Sequence, residues 1–342
     1  MNRANLNCEK WENYPVSPSQ FLSQCTASAI SDAAQVLANG GLVAFPTETV
    51  YGLGADANNA DAVARIYEVK GRPSDHPLIV HIASMQQMGQ WSDEIPEFAI
   101  DLARDFWPGP MTLILKRSDL AKDFITGGQN TVGVRVPNHV VALALLEAAE
   151  KVGIQGIAAP SANRFGQLSP TTAAAVQVEL GAFMKDADLV IDGGTSAVGV
   201  ESTIIDCTSD IPRVLRPGAI TDEMIVESTG LQLRTHNARE EEIRVSGSLE
   251  NHYAPIATVI LDQQPVAGQG FIALANISTP EGVSRLAAPA DNDEFAHLLY
   301  AALRDGDIKG LSHIVVTQPV GSGIAVAIRD RLMRAANSSE TA

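Results

Sequence analysis

Two short polar motifs in this chain could together bind phosphate groups. The first is Lys70-Gly71-Arg72-Pro73 and the second is Ser161-Ala162-Asn163. Lysine supplies a point charge and arginine a planar fork that grips two oxygens, while serine and asparagine supply hydrogen-bond donors. The sequence has no glycine-rich phosphate loop of the usual kind, so side chains would have to hold the phosphate. We therefore predict a nucleotide triphosphate site built from Lys70, Arg72, Ser161 and Asn163.

A second candidate site lies on the segment from Thr131 to Pro137, whose residues alternate as in a β-strand. Thr131, Gly133 and Arg135 share one face of that strand, and valines share the other. An arginine that points from a strand into a cleft suits a carboxylate ligand. The alternative is an ordinary surface salt bridge, which contributes at most about 1 kcal/mol.

The glycine-containing segment 46–57 admits three interpretations. Thr47 and Thr49 follow a predicted strand and could bind a small polar ligand, because open α/β sheets bind ligands at strand ends. A polar turn, whose glycines permit sharp backbone angles, is the simpler explanation. The pattern G-x-G-x-x-A from Gly52 to Ala57 also matches a dinucleotide-binding loop. That match is weak, because Pro46 ends the strand well before Gly52.

Composition narrows the class of protein. The chain has 342 residues, of which 45% are apolar, and this suits two domains with buried cores. A net charge of −16, with no basic segment, argues against a protein that coats nucleic acid. Cys8, Cys25 and Cys207 lack the spacing of a disulfide framework or a metal site, which favours a reducing cytoplasm. We find no secretory-signal pattern and no apolar run of membrane-spanning length, so we expect no membrane contact.

Apolar periodicity places the polar motifs on alternating strands and helices. The predicted strands of the first part of the chain are Leu42–Phe45, Leu78–Ile82, Met111–Leu115, Thr131–Val136, Gly156–Ala159, Leu189–Ile191, Ser202–Asp206 and Val214–Arg216. The predicted helices are Ser31–Asn39, Asp61–Lys70, Glu94–Phe106, Asn138–Glu150 and Thr171–Leu180. The motifs at Lys70 and Ser161 therefore stand at the end of a helix and the end of a strand.

We predict four regions along the chain. Residues 1–27 are a polar N-terminal extension, residues 28–219 are the first domain, and residues 220–254 are a linker with an acidic run. Residues 255–342 form a second α/β domain. Its predicted strands and helices alternate, an order typical of a small, mostly parallel sheet. They are strands Ala257–Leu261, Phe271–Ala275 and His313–Val316, and helices Asp293–Arg304 and Gly323–Ala335.

These motifs, in this order, resemble the YrdC-like domain of threonylcarbamoyl-AMP synthases over residues 28–219. The matching blocks are PTETVYGLG, KGRP, TVGVRVP, PSAN and ESTIID, which begin at residues 46, 70, 131, 160 and 201. The linker motif HYAP, which begins at residue 252, and residues 255–342 are similar to the C-terminal extension of the two-domain form. The resemblance implies a YrdC-like twisted mixed sheet with flanking helices, followed by a smaller Rossmann-like α/β domain.

The resemblance implies an enzyme, a nucleotidyltransferase. It would make threonylcarbamoyladenylate from L-threonine, bicarbonate and ATP, with Mg²⁺, and release pyrophosphate. A downstream threonylcarbamoyl transferase complex would then use the product to modify tRNA. The implied L-threonine site comprises Thr49, His81, Arg135, the backbone at Ala159, and Ser202. The implied ATP site comprises Lys70, Arg72, His76, Thr131, Ser161, Asn163, Ser169, Arg216 and Tyr253.

The implied reaction fits these residue types. In-line attack on a phosphate needs positioning and charge neutralisation more than a protein nucleophile. Arg135 would hold the substrate carboxylate, and Lys70, Arg72 and Arg216 would neutralise phosphate charge. Carbamates and adenylates hydrolyse, so a linker that lays Tyr253 over the nucleotide would serve as a lid.

Three other functions compete with this one. YrdC-like domains have been associated with double-stranded RNA. The acidic segments of this chain would repel the RNA phosphates, so we expect at most weak RNA contact. A related domain occurs in the carbamoyltransferase of hydrogenase maturation, which should also carry cysteine-rich zinc motifs that this sequence lacks. An oxidoreductase would rest only on the weak glycine pattern at Gly52.

Overall fold

Two β-sheets with flanking helices make up the protein. The computed structural model describes residues 22–24, 26–234, 243–247 and 253–337. The strands of the larger sheet are β1 Leu22–Gln24, β2 Val43–Phe45, β3 Gly52–Asp56, β4 Ile79–His81, β5 Ser92–Glu94, β6 Met111–Arg117, β7 Thr131–Arg135, β8 Ile157–Ala158, β9 Leu189–Asp192, β10 Thr203–Asp206 and β11 Arg213–Arg216. Those of the smaller sheet are β12 Thr258–Leu261, β13 Gly270–Ile272, β14 Ser284–Ala287 and β15 His313–Val316.

Ten α-helices accompany these strands in the described residues. They are α1 Ala27–Ala38, α2 Ala60–Lys70, α3 Met88–Trp91, α4 Glu97–Phe106, α5 Asp123–Thr126, α6 Val140–Lys151, α7 Ala173–Leu180, α8 Asp222–Thr229, α9 Asn292–Ile308 and α10 Ile324–Asn337. A short 3₁₀ turn spans Met85–Gln87. None of the helices in the described residues is long and apolar enough to cross a lipid bilayer.

The larger sheet is mixed. Its strand order is β1-β9-β2-β3-β8-β4-β7-β6-β10-β11, and β5 pairs with β6. Strands β4 and β7 run parallel, while β8 lies antiparallel to both β3 and β4. This arrangement brings the ends of β2, β4, β7 and β8 close together around one cleft. The twisted mixed sheet with flanking helices confirms the fold expected from the sequence.

Alternating residues of β2 show how the sheet separates two hydrophobic cores. Val43 and Phe45 pack with α1 and α6 on one face. Leu42 and Ala44 belong to the larger core on the other face, which includes Trp91. Because successive side chains of a strand point to opposite faces, the apolar run from Leu42 to Phe45 fits a strand buried on both sides.

The smaller sheet is entirely parallel, with strand order β12-β15-β13-β14. The second α/β pattern predicted from the sequence is therefore confirmed as a parallel sheet. Its hydrophobic core does not end at the sheet. Phe295 and Leu299 of α9 and Leu332 of α10 pack with Val50 and Val200 of the first part of the chain. The smaller α/β unit thus shares a buried surface with the loops around the cleft.

Several local predictions were incomplete. The segment Gly52–Asp56, which we interpreted as a turn or a glycine-rich loop, is strand β3 between β2 and β8. A Cβ atom at Gly54 would lie 2.7 Å from Ile157 Cγ2, so close strand packing requires this glycine. The dinucleotide-loop alternative is wrong, because Gly52 and Gly54 lie within strand β3, whereas such a loop has its glycines between the end of a strand and the start of a helix.

Helix α8 begins at Asp222, inside the region that we predicted as a linker, and buries Ile225. The N-terminal extension contributes β1, which pairs in parallel with β9. Strand β14 was also missed, because its polar sequence has no apolar run. Residues 1–21, the acidic run at 240–242 and His252 lie outside the described residues.

Candidate active site

The candidate site is a cleft of about 500 Å³, open solvent at its mouth included, on the larger sheet. It is walled by residues of β4 and β7, by the segments that follow β2 and β8, by Arg72, which lies two residues after helix α2, and by the described linker residues 246 and 247. The sequence-predicted site residues that line it are Thr49, Arg72, His81, Arg135, Ala159, Ser161, Ser202, Arg216 and Tyr253. The fold therefore brings the Arg72 and Ser161 motifs to one cavity, as the sequence predicted.

One wall of the cleft carries His81 and Arg135. They are paired residues of the parallel strands β4 and β7, so both side chains leave the sheet on the same side. Arg135 is buried, and its Nη2 lies 2.7 Å from Glu48 Oε1, off the direction that a hydrogen bond needs. Its Nε donates to the carbonyl of Gly109 at 3.3 Å. Arg135 therefore forms a buried ion pair instead of the surface salt bridge considered above.

His81 is neutral at physiological pH. Burial and then the nearby charge of Arg135 lower its pKa to about 3. Its ring packs edge-on against Phe45, with 5.9 Å between centroids. Within the described residues its Nδ1 is buried and has no hydrogen-bond partner. A neutral imidazole with an unused nitrogen can hydrogen-bond a ligand without adding charge.

Hydroxyl and backbone groups complete this wall. The hydroxyl groups of Thr47 and Thr49 lie 2.8 Å apart, and that of Thr47 donates to the carbonyl of Val50. The N–H of Ala159 donates to the carbonyl of Ile79, so a ligand at Ala159 would meet its carbonyl oxygen. Arginine, neutral histidine, hydroxyl and carbonyl together suit an amino acid, which carries both donors and acceptors.

Two more arginines, Arg72 and Arg216, line the cleft. Arg72 Nη2 donates to the carbonyl of Pro77 at 2.9 Å and to the Ser246 hydroxyl at 3.2 Å. Arg216 donates from Nη1 to the carbonyl of Ser246 at 2.8 Å, and from Nε and Nη2 to the carbonyl of Ser202. Burial lowers the pKa of Arg72 to about 10 and also lowers that of Arg216. With a pKa of about 10, Arg72 keeps its positive charge at neutral pH, and both guanidinium groups face the same cleft.

Lys70 and Asn163 lie behind the cleft wall. Lys70 is the last residue of α2, and Gly71 ends the helix in the left-handed conformation, with φ of 62°. Lys70 Nζ donates to the carbonyl groups of Ser161 and Asn163. The Asn163 amide donates to the carbonyl groups of Arg164 and Gln167. These two side chains thus hold the turn that presents Ser161, and burial followed by the charge of Arg72 lowers the pKa of Lys70 well below its usual value.

Three more predicted residues lie outside the walls of this cleft. His76 is half-buried and packs edge-on against Phe165, with 5.3 Å between ring centroids. Thr131 lines a neighbouring hollow together with Arg244 and Ser246. Ser169 is buried and donates to Glu201 Oε1 at 2.6 Å. Their assignment to the ATP site therefore stays a prediction.

The sequence analysis missed three residues at the cleft. Glu48 is the buried partner of Arg135, and Glu201 lines the cleft beside Ser202. Ser246 contacts both Arg72 and Arg216. Glu48 and Glu201 were visible in the PTETVYGLG and ESTIID blocks. The sequence did not show that these two carboxylates are buried, because an acidic residue in a loop is usually exposed to solvent. Ser246 had no signal in the sequence.

No group of three or more His, Cys, Asp or Glu side chains in the described residues is arranged to hold a metal ion. Glu201 is the acidic residue on the cleft wall, and both its oxygens already accept hydrogen bonds. The residues present therefore suit a metal ion that is carried mainly by phosphate oxygens and water.

A twisted mixed sheet that encloses such a cleft defines a YrdC-like α/β protein. The family model described as "Telomere recombination" matches residues 35–218. The model described as "Threonylcarbamoyl-AMP synthase, C-terminal domain" matches residues 220–337. The chain belongs to the threonylcarbamoyl-AMP synthase family, in its two-domain form, which confirms the resemblance seen in the sequence.

Individual relatives agree with the family models. The threonylcarbamoyl-AMP synthase of Pyrococcus abyssi is 41% identical over 322 residues, which cover 89% of this chain and 92% of that protein. That of Bacillus subtilis is 39% identical over 327 residues, covering 90% and 92%. The crystal structure of P. abyssi Sua5 complexed with L-threonine matches with a TM-score of 0.82 and 37% identity, and covers 93% of this chain and 97% of that one.

Proposed function

We propose that this protein makes L-threonylcarbamoyladenylate from L-threonine, bicarbonate and ATP, and releases pyrophosphate. It would thereby catalyse the first step in forming N6-threonylcarbamoyladenosine in tRNA. The observation that carries the proposal is the cleft itself, because His81, Arg135, Arg72 and Arg216 all line this one cavity. In this proposal, the site for the amino acid and the site for the triphosphate share that cavity. One relative, Sua5 of P. abyssi, was crystallised in complex with L-threonine.

On the amino-acid side, we assign the carboxylate of threonine to Arg135. Thr49, His81, the carbonyl of Ala159 and the hydroxyl of Ser202 would orient its remaining polar groups. His81 suits this role because its imidazole is neutral, so it accepts or donates a hydrogen bond without repelling the ammonium group or a developing carbamate.

On the nucleotide side, we assign the phosphates to Arg72, Arg216 and Ser161. Lys70 and Asn163 would act by holding the turn that carries Ser161, because their polar groups already bond to that turn. His76, Thr131, Ser169 and Tyr253 would surround the rest of the nucleotide. Magnesium would enter with ATP and add positive charge at its phosphate oxygens.

The chemistry needs no protein nucleophile. The threonine amine and bicarbonate form an N-carboxy carbamate and water. A carbamate oxygen then forms a bond to the α-phosphorus of ATP, while the bond to the bridging oxygen breaks and pyrophosphate leaves. Arginines that are already oriented and partly desolvated stabilise the charge that develops on the phosphorus oxygens. The cytoplasm supplies ATP and tRNA, and a threonylcarbamoyl transferase complex would consume the product there.

A pyrophosphate-release assay with ATP, Mg²⁺ and bicarbonate tests the proposal. We expect release with L-threonine, much less with L-serine and none without an amino acid. Mass spectrometry should find threonylcarbamoyladenylate among the products. Release that does not depend on threonine would contradict the proposed function.

The same preparation can test for RNA contact. Filter binding of a tRNA over a salt series should show weak binding with a shallow salt dependence, because the chain is acidic overall. Tight, steeply salt-dependent binding without threonine-dependent turnover would favour a non-catalytic RNA-binding module.

A further inference from the structure

Glu201 is a buried carboxylate that receives hydrogen bonds from both α/β units. From the first unit, the Ser169 hydroxyl donates to Oε1 at 2.6 Å. From the second unit, Arg331 Nε donates to Oε2 at 2.8 Å, and the Tyr300 hydroxyl lies 3.0 Å from Oε2 and 3.1 Å from Oε1. Tyr300 belongs to α9 and Arg331 to α10. The carboxylate is therefore bonded jointly by two parts of the chain that are far apart in sequence.

This cluster is shielded from water. Tyr300 and Arg331 are each 1% exposed, and Glu201 is 6% exposed on the cleft side. The Arg331 guanidinium also lies under the ring of Tyr253, 5.4 Å from its centroid, and the rings of Tyr253 and Tyr300 are 5.7 Å apart. A buried charge is tolerated only when it is paired and fully hydrogen-bonded, so the conformation of Glu201 is set by these partners.

The charges around Glu201 keep it ionised. Burial alone would raise its pKa, but the guanidinium groups of Arg331 and then Arg216 outweigh burial and lower the pKa to about 2. Burial raises the pKa of the Tyr300 hydroxyl well above its usual value, so it stays a hydrogen-bond donor. The network is thus a carboxylate with neutral and cationic donors on every side.

Glu201 directly precedes Ser202, which lines the cleft and bonds to Arg216. The carbonyl of the next residue, Ser202, accepts from Nε and Nη2 of Arg216, and the Ser202 hydroxyl lies 3.1 Å from Arg216 Nη2. The Ser202 hydroxyl is also 2.8 Å from that of Thr112. A shift of the Glu201 backbone would therefore move both the Ser202 hydroxyl and the guanidinium of Arg216.

We propose that Tyr300 and Arg331 of the C-terminal unit are positioning residues for the reaction, because they fix Glu201 and, through it, Ser202 and Arg216. The inference rests on the proposed function, which assigns threonine to Ser202 and the ATP phosphates to Arg216. It gives the C-terminal α/β unit a defined part in the chemistry: its last two helices complete the support of the catalytic cleft.

A second contact between the two units offers a matched control. Arg304 of α9 forms an ion pair with Glu179 of α7 at 2.6 Å and donates to the carbonyl of Leu168. It joins the same two units from the same helix as Tyr300, yet it does not touch Glu201. If the C-terminal unit only packs against the first unit and does not position Glu201, replacement of Arg304 and replacement of Arg331 should lower kcat to a similar extent.

The test compares Tyr300→Phe, Arg331→Lys, Arg331→Met and Arg304→Met in the full-length protein. We expect Tyr300→Phe and Arg331→Met to lower kcat for threonine-dependent pyrophosphate release roughly tenfold to a hundredfold. Arg331→Lys should recover part of that loss. Arg304→Met removes one partner of a largely buried ion pair and should lower stability, but kcat of the folded variant should stay within about twofold of wild type, because Arg304 does not bond to Glu201. Thermal unfolding midpoints, measured in parallel, show which variants fold.

The pH profile of kcat separates positioning from docking. Without the charge of Arg331, the pKa of Glu201 rises, so the acid limb of Arg331→Met should move to higher pH. The acid limb of Arg304→Met should stay where it is in wild type. If Arg331→Met does not fold, Tyr300→Phe decides alone, since it removes one hydroxyl group and leaves both charges in place.

Two results overturn the inference. One is an equal loss of kcat in Arg304→Met and in the Tyr300 and Arg331 variants, and the other is wild-type kcat in folded Tyr300→Phe. Failure of the proposed function is seen separately, as a wild-type protein that releases no pyrophosphate in response to threonine.

Discussion

His81 and Arg135 are register partners on the parallel strands β4 and β7, and both side chains line the same wall of the cleft. Their proximity lowers the pKa of the histidine, since the arginine charge adds to the effect of burial. The sheet therefore supplies a fixed cation beside a neutral hydrogen-bonding ring. Because each sits on a strand and not on a mobile loop, their spacing is set by the ladder of backbone hydrogen bonds.

Replacement of Arg135 by alanine should raise KM for threonine at least tenfold and change KM for ATP far less, because the side chain would bind only the carboxylate of the amino acid. The variant also leaves Glu48 buried without its partner, which costs about 3–5 kcal/mol of folding free energy. Pyrophosphate release at varied threonine and varied ATP measures both KM values. Arg117→Ala is the control, because Arg117 lies at the end of β6 and pairs with exposed Asp123. Equal changes in the two KM values would remove Arg135 from the threonine site.

Arg72→Ala should reduce kcat for pyrophosphate release by about two to three orders of magnitude, the usual loss for a missing charged donor at a reacting phosphate. The fold should persist, since the side chain gives up single hydrogen bonds to Pro77 and Ser246. Single-turnover assays and far-ultraviolet circular dichroism measure the two effects. Wild-type turnover in this variant would show that Arg72 does not contact the phosphates.

Lys70→Met should impair both activity and stability, because Lys70 is buried and its Nζ donates to two backbone carbonyl groups. The substitution leaves the carbonyl groups of Ser161 and Asn163 without their buried donor, at about 1–3 kcal/mol each. Urea unfolding should therefore give a lower midpoint than in Arg72→Ala. If Lys70→Met unfolds at the wild-type midpoint, the lysine does not support the turn.

The free energy of unfolding should decrease at acidic pH in part because of His81. Unfolded histidine titrates near pH 6.5, whereas folded His81 titrates at about 3, so between these values the unfolded state binds the extra proton. Its stabilising contribution is thus complete above about pH 6.5 and is lost as the pH falls, by up to about 1.4 kcal/mol per pH unit. Urea unfolding of wild type and His81→Gln at pH 7, 6 and 5 should show a smaller loss in the variant. Parallel losses in the two proteins would contradict the depressed pKa.

Ser246→Ala should lower KM for ATP by about fivefold. The hydroxyl of Ser246 accepts a hydrogen bond from the Arg72 guanidinium, which we assign to the phosphates of ATP. Without this hydroxyl, ATP no longer has to displace that hydrogen bond, which is worth about 1 kcal/mol of binding free energy. Initial rates at varied ATP test this. The control is Ser228→Ala on α8, whose exposed hydroxyl donates to Asp105 at 2.7 Å. A higher KM in Ser246→Ala would instead mean that this linker residue helps to cover bound ATP.

The regular elements of the fold could be predicted where apolar spacing was clear. Strands β2, β4 and β7 and helices α2 and α6 were each located to within about a few residues, because their buried faces follow the periods of a strand or a helix. Strand β3 was missed since its glycines give no β-forming signal, and they are present to let β2 and β8 approach. Helix α8 was missed because its acidic first turn resembled the rest of the linker.

The sequence by itself determined the family, the mixed α/β class and a set of candidate site residues, because motif identity and apolar periodicity are local properties. Only the tertiary structure decided which of those residues face the cleft. It turned Lys70 and Asn163 toward the backbone, paired Arg135 with Glu48, and connected Glu201 to Arg331, which is 130 residues away in the chain. A buried charged side chain needs a partner of opposite charge or a hydrogen-bonding group beside it, and tertiary packing determines which residue that is. The partner is often distant in the sequence, so local sequence patterns do not predict it.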